Sequence, residues 1–272
     1  MPFPGYYDPT ATQVAADRIA HQGLSSRLWR NVNQMSIMGN PGEGYFHLQR
    51  FGNWLDITTE TTTAEATMGY LTGGQAVRAT ANYLGAEGPT LAVDSEGTDN
   101  QGVESLQFNG QLVTPKDGYD IIFEARVAVS TTTNAPSTIV GMVARADAAV
   151  LAINGGAIAA DDWIGFTTAE SLSCNFSVED GTLSTSASAV HTFVDMATAA
   201  DGKDWVKLGF MLRGTANTGE YYVNGALGSE SITWTAGPNV ALVPTFGCLS
   251  SGSASILRVH WFAVAQVPTE GK

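Results

Sequence analysis

The residues able to do chemistry are few and scattered along the chain. A carboxylate acid–base pair needs two groups roughly 5–10 Å apart on one face of a cleft. Glu124 instead stands alone among apolar and basic neighbours. Glu179 and Asp180 precede Gly181, where solvated turn acids are expected, and Asp161 and Asp162 form a loop edge before a strand. A serine nucleophile would sit in a Gly-x-Ser-x-Gly elbow with His and Asp partners, and no such elbow occurs. His21, His47, His191 and His260 show no metal-ligand spacing. The Gly-Gly pairs at 73–74 and 155–156 lack the Lys-Ser/Thr that completes a phosphate loop. The expectation is therefore no catalytic residues, no metal centre and no enzyme.

Charge narrows the partners. The chain has 272 residues, with 13 Lys and Arg against 26 Asp and Glu, a net charge of −13. So acidic a surface repels phosphate backbones and anionic bilayers, which predicts no nucleic acid and no membrane as partner. Residues 1–60 carry −1 and the remainder −12, so the two parts face different surroundings. No run approaches the roughly 18–20 apolar residues of a membrane helix. The start, Met1-Pro-Phe-Pro-Gly-Tyr-Tyr, lacks a secretory pattern, and synthesis in the cytoplasm is expected. Cys174 and Cys248 read as two buried thiols, with a disulfide open if their strands are neighbours.

The elements that must position any site are mostly strands. Charged residues are only 14 %, and Thr, Ser, Asn and Gly carry much of the polarity, as suits short strands and tight turns. Pro2, Pro4 and Pro9 make the start an extended arm. Thr10 or Thr12 could cap a helix ending near Gly23, and Leu24 to Met38 reads as a second short helical piece. This arm packs on its own domain or docks on a neighbouring chain. Residues 45–51 and 54–58 resemble short strands, while 64–100 give no firm pattern. Beyond Gly102 the period of two is clear: Ile121, Phe123, Ala125, Val127 and Val129 share one face, and Val206, Leu208, Phe210 and Leu212 another. Leu257, Val259, Trp261 and Ala263 alternate with Arg258, His260 and Phe262, which places His260 and Arg258 on an outer face. Asn224-Gly225 favours the positive φ angles of a two-residue hairpin. The fold class is mainly β, an antiparallel β-sandwich jelly roll with an extended, partly helical N-terminal arm. The domains are 1–95, arm and accessory region, and 96–272, the sandwich.

Three stretches, Asp204-Trp-Val-Lys-Leu-Gly-Phe, Tyr221-Tyr-Val-Asn-Gly and Leu257-Arg-Val-His-Trp-Phe-Ala-Val, resemble the strand series of concanavalin A-like, laminin-G-like jelly rolls from about residue 100 to 267. With the proline-rich start, Asp99-Asn-Gln-Gly-Val and Phe123-Glu-Ala-Arg, the whole resembles tailed-bacteriophage virion structural proteins. The Glu-x-Asp-x-(x)-Glu arrangement of hydrolases with this fold is absent. The resemblance implies a capsid decoration or cement protein that stabilises the head. Its partners would be the major capsid protein or other virion proteins, and its location the virion. A closed homo-oligomer such as a trimer would multiply weak contacts. Arg18, Arg27, Trp29 and Arg30 are the partner-binding candidates, because Arg and Trp dominate interface hot spots. The alternative is a carbohydrate-binding or host-attachment module on a tail appendage, with Trp163, Tyr221, Tyr222 and Trp234 as sugar platforms. No cofactor is implied beyond calcium, for which Asp94, Asp99, Asn100 and Asp117 are candidate ligands.

Overall fold

Alternation along the strands closes two antiparallel sheets face to face. The computed structural model describes residues 23–33, 37, 40, 42, 44–50, 57–58, 65–66, 70–73, 77–79, 90–95, 103–108, 113–131, 134–144, 162–180, 184–195, 205–214, 218–233 and 240–269. Sheet A contains β1 (Tyr45–Arg50), β2 (Ile57–Thr58), β5 (Val77–Ala79), β6 (Leu91–Ser95), β8 (Tyr119–Thr131), β13 (Val206–Arg213), β14 (Thr218–Val223), β15 (Ala226–Thr233) and β17 (Ser255–Pro268). Its order is β15-β14-β13-β8-β17-β6-β5-β2. Sheet B contains β3 (Glu65–Ala66), β4 (Tyr70–Gly73), β7 (Val103–Phe108), β9 (Ser137–Ala144), β10 (Asp162–Thr168), β11 (Ser173–Asp180), β12 (Ser184–Thr192) and β16 (Leu242–Leu249), in the order β12-β11-β10-β9-β16-β7-β4-β3.

The longest strand organises sheet A. One side of β17 pairs with β8 along its length. The other side pairs first with β6, from Ser255↔Ser95 to Val259↔Leu91, then with β1, from Arg50↔Trp261 to Tyr45↔Gln266. Residues 45–95, grouped with the arm on sequence grounds, thus supply strands to both sheets and extend the same sandwich. Pro244 sits inside β16 because the pairing with β7 begins only at Thr245, leaving a gap where a missing N–H is tolerated.

The expected alternation holds along β8 and β13 but breaks in β17, where a bulge between Val259 and Trp261 turns Phe262 and Val264 inward beside Leu257 and Val259 and leaves Ala263 on the outer face. Ile121, Phe123, Ala125, Val127 and Val129 face inward, with Val206, Leu208, Phe210 and Leu212 beside them. Aromatic rings fill the space between the sheets: Phe123 stacks on Phe210 at 5.1 Å, and Phe108 meets Phe262 at 4.5 Å. The Asn224-Gly225 turn has φ of 50° and 79°, as the hairpin requires. The Asn224 side chain accepts the Lys207 N–H at 2.9 Å, and its own N–H donates to the Lys207 carbonyl at 2.8 Å.

The expected helical piece over 24–38 is described only at 24–33 and at Ile37. Residues 24–33 are largely turns, with a helix-type bond from the Trp29 N–H to the Ser25 carbonyl, and a second such bond runs from the Ile37 N–H to the Asn33 carbonyl. Packing explains the turns. Leu24, Leu28, Trp29 and Val32 lie against Ile122, Met211, Tyr222, Ala263 and Ala265 on the outer face of sheet A, and that face dictates the local path. The first helix, over 10–23, falls almost entirely outside the described residues.

Candidate functional site

A groove opens where the edges of the two sheets, as the described strands define them, meet. β12 ends sheet B and β15 ends sheet A, and the two strands lie against each other. Each carries an irregularity. Between Cys174↔His191 and Phe176↔Ala187, two steps along β11 match four along β12. Between Glu220↔Ser231 and Tyr222↔Leu227, two steps along β14 match four along β15. Such bulges take residues out of the ladder, bend the strand and blunt the edge against further pairing. Ala189, in the β12 bulge, adopts a left-handed φ of 51°, and its N–H donates to Asn175 Oδ1 at 2.8 Å. A non-glycine residue held there is strained, a cost that persists where the surroundings fix it.

The two bulges enclose about 300 Å³, lined among others by Ser188, Ala189, Val190, Tyr221, Leu227 and Gly228. Among the described lining side chains none is charged. Tyr221, 6 % exposed and part of the core between the sheets, backs the groove with its ring, which packs on Phe176 at 5.6 Å. Gly228 permits this: a Cβ there would come within 2.1 Å of the Tyr221 ring. Leu227, at 37 % exposure, is an exposed large apolar side chain on the rim of the groove.

A second polar assembly lies on the outer face of sheet A, beneath residues 23–33, here termed the strap. Glu124 is fully buried at the middle of β8. Its Oε2 accepts the Ser25 N–H at 2.9 Å and the Trp29 indole N–H at 2.8 Å, and its Oε1 contacts the Ser25 hydroxyl. Opposite Glu124 stands Gly209, where a Cβ would meet Leu28 Cδ2 at 2.6 Å, so the bare position gives the Leu28 side chain its seat. Lys207 Nζ donates to the Gly23 carbonyl at 3.1 Å. Arg126 lies over the Trp205 ring at 4.9 Å and reaches His260 Nδ1 at 2.7 Å. Since guanidinium only donates, Nδ1 accepts and the His260 proton sits on Nε2. Burial pushes the Glu124 carboxyl above its ordinary range, opposed by the bonds from Ser25, by Lys207 and by Trp29. Burial pushes Lys207 down, opposed by Glu124 and reinforced by Arg126.

The remaining sequence candidates are dispersed. Arg27 and Arg30 are exposed on the strap, whereas Trp29 is 5 % exposed and used within the chain. Trp163 is buried, with its indole N–H on Glu179 Oε2 at 3.1 Å, and Tyr222 is buried on the outer face of sheet A, its hydroxyl on Glu220 Oε2 at 2.8 Å. Of the four aromatic candidates, Tyr221 is the one the groove uses; Arg18 and Trp234 lie outside the described residues. Asp99 and Asn100 also lie outside them, Asp94 is placed only as part of β6, and Asp117 is exposed in the turn before β8. Among the described residues no three His, Cys, Asp or Glu side chains converge as metal ligands would. Cys174 and Cys248 are free and buried on β11 and β16, and burial pushes the Cys174 thiol up. Ser188, Ala189, Val190 and Gly228 carried no sequence signal as site residues; the Ala/Ser run and a glycine just past the hairpin are the traces of their bulges.

No protein-family model matches the chain, and no curated protein matches it in sequence. Solved structures do match in fold. The carbohydrate recognition domain of Emp47p superposes with a TM-score of 0.50 at 9 % identity, covering 84 % of this chain and 98 % of that one. Peanut lectin, solved with a nine-residue peptide, gives 0.50 at 10 % identity, covering 84 % and 100 %. The endo-1,3-β-glucanase of Streptomyces sioyaensis gives 0.51 at 10 % identity, covering 84 % and 98 %. The chain is thus a mainly β, concanavalin A- and legume-lectin-like jelly-roll sandwich. At these identities the likeness is one of fold.

Proposed function

We propose that this chain is a non-enzymatic carbohydrate-binding module that takes its ligand in the Tyr221 groove. The observation that carries the reading is the pair of bulges facing each other on the edges of the two sheets. Either bulge alone would serve to blunt an edge; together they enclose a pocket backed by an aromatic ring, with a serine hydroxyl and backbone groups released from the ladder. A sugar ring presents an apolar face and polar rim, and such a lining answers both. The fold houses binders, as in peanut lectin and the Emp47p domain, and also hydrolases, as in the glucanase, so fold alone does not choose. Support for binding comes from the carboxylates. Glu124 is sealed under the strap, Asp120 pairs with Arg213 at 3.1 Å, and Glu179 holds Trp163. None lines the groove.

A glycan array tests this with the wild type and Leu227→Trp, which fills the groove from an exposed position. Binding by the wild type and its loss in the variant are expected. Binding that survives the filled groove, or no binding to any glycan, refutes the assignment.

A second reading has a specific observation behind it. The strap is fixed to the body and presents Arg27 and Arg30 outward, as a decoration protein meeting capsid subunits would. Such a protein would be made in the host cytoplasm, assemble as a homo-oligomer and reside in the virion. Deleting residues 1–40 should then abolish capsid occupancy, and unchanged occupancy dismisses it.

A further inference from the structure

The strap meets the body through one carboxyl group, and the geometry of that group fits a neutral acid. Oε2 receives two N–H donors, from Ser25 and Trp29. Oε1 touches a hydroxyl, the Ser25 Oγ, which can donate or accept. A protonated Glu124 therefore has every polar atom satisfied: its O–H donates to Ser25 Oγ while Oε2 keeps both N–H bonds. An ionised Glu124 also has its bonds, but its charge is enclosed with no ion-pair contact from the strap, whose described charges, Arg27 and Arg30, are exposed. When the strap lifts, water reaches the carboxyl and the enclosed charge is relieved.

We propose that the strap is a proton-linked latch: residues 23–33 dock on the outer face of sheet A with uptake of a proton by Glu124, so the latch closes as pH falls and loosens as pH rises. Lifting it uncovers the apolar patch of Ile122, Met211, Tyr222, Ala263 and Ala265.

The surrounding groups are these. From β13, Lys207 opposes the upward push on Glu124. From β8 itself, Arg126 is engaged by Trp205 and by His260 of β17. From β14, Tyr222 is bonded to Glu220, with its hydroxyl pushed up to about 12. The strap adds Ser25, Trp29 and Arg27. Lys207 is pushed the other way by burial, so its titration would tighten the latch with rising pH; the sign of the slope tells the two apart.

Hydrogen exchange of the full chain, followed from roughly pH 5 to 8 and corrected for intrinsic chemistry, reads the latch at the amides of Trp29 and Val32. Protection should fall with rising pH by up to about tenfold per unit, the limit for one linked proton. Glu124→Gln copies the neutral acid and should keep the strap docked with that slope removed. Trp29→Phe, which keeps the ring and drops one donor, should lower protection while preserving the slope. Flat or rising protection in the wild type overturns the proposal. So does a Glu124→Gln variant that folds yet retains the wild-type slope.

Discussion

Between the sheets, Phe123, Phe210, Phe246 and Phe262 pack ring against ring, each fully buried. On the other side of the same strands Glu124, Arg126 and Lys207 are at most 3 % exposed, yet they are ionisable and hydrogen-bonded. Both regions exclude water to a similar degree by different means. Inside, apolar area does the work and volume is the constraint. Outside, the strap supplies partners to Glu124 and Lys207 while His260 and Trp205 engage Arg126, and the identity of the partner is the constraint. The two regions should therefore break differently.

The largest effect belongs to the interior. Phe210→Ala removes a ring stacked on Phe123 and packed against Phe176 at 5.8 Å. A loss of about 3–5 kcal/mol in urea unfolding is expected. A loss below about 1 kcal/mol would mean the inner layer can collapse around a missing ring, and the contrast with the outer face would fail.

Next comes the outer face. Glu124→Ala leaves the Ser25 N–H and the Trp29 indole N–H enclosed without an acceptor, at a cost of about 1–3 kcal/mol. Substitution by Gln should restore most of it, because shape and acceptor return. If Ala and Gln are equivalent, partner identity is not what holds this face.

A smaller loss is expected at the hairpin that joins the two regions. Asn224→Ala puts an ordinary side chain at φ 50° and removes the acceptor of the Lys207 N–H. About 1–2 kcal/mol follows from the backbone alone. Asn224→Gly should recover the backbone part and leave only the lost hydrogen bond, which equilibrium unfolding of both variants can resolve.

The same contrast decides what could be read from the amino acids. Ile121 to Val129, Val206 to Leu212 and Asn224-Gly225 declare themselves, because period two and positive φ are local properties. Glu124, Lys207 and Arg126 show the same period, and period alone places them on a solvated face. The strap partners of Glu124 and Lys207 lie 99 and 184 residues away in sequence, a separation that no local pattern encodes. β16 is hidden by Pro244, and β12 by the small residues of Ser184–Thr192, whose lack of alternation reflects the bulge itself. The groove combines both difficulties: two irregular edges, distant in sequence, make a pocket from residues with no chemical signature. Only Tyr221 was visible as a site candidate, as an aromatic next to a turn.

The smallest effect separates the regions by sign. His47 on β1 pairs with Val264 and packs on Phe262 at 5.8 Å, so it belongs to the inner layer. Burial pushes its imidazole below the ordinary value, only partly offset by a bond with Gln49. The unfolded chain then takes up a proton at higher pH than the folded one. The stability His47 contributes is complete above the unfolded value, near 6.5, and is lost as pH falls through the window below it. Glu124 runs the opposite way, since its folded value is raised and acid favours the closed form. On mild acidification, exchange protection along Tyr45–Arg50 should decline while protection at Trp29 and Val32 grows. His47→Gln should abolish the first trend and spare the second. Parallel trends at both places would show that one global transition moves them together, and that the two layers are not independently held.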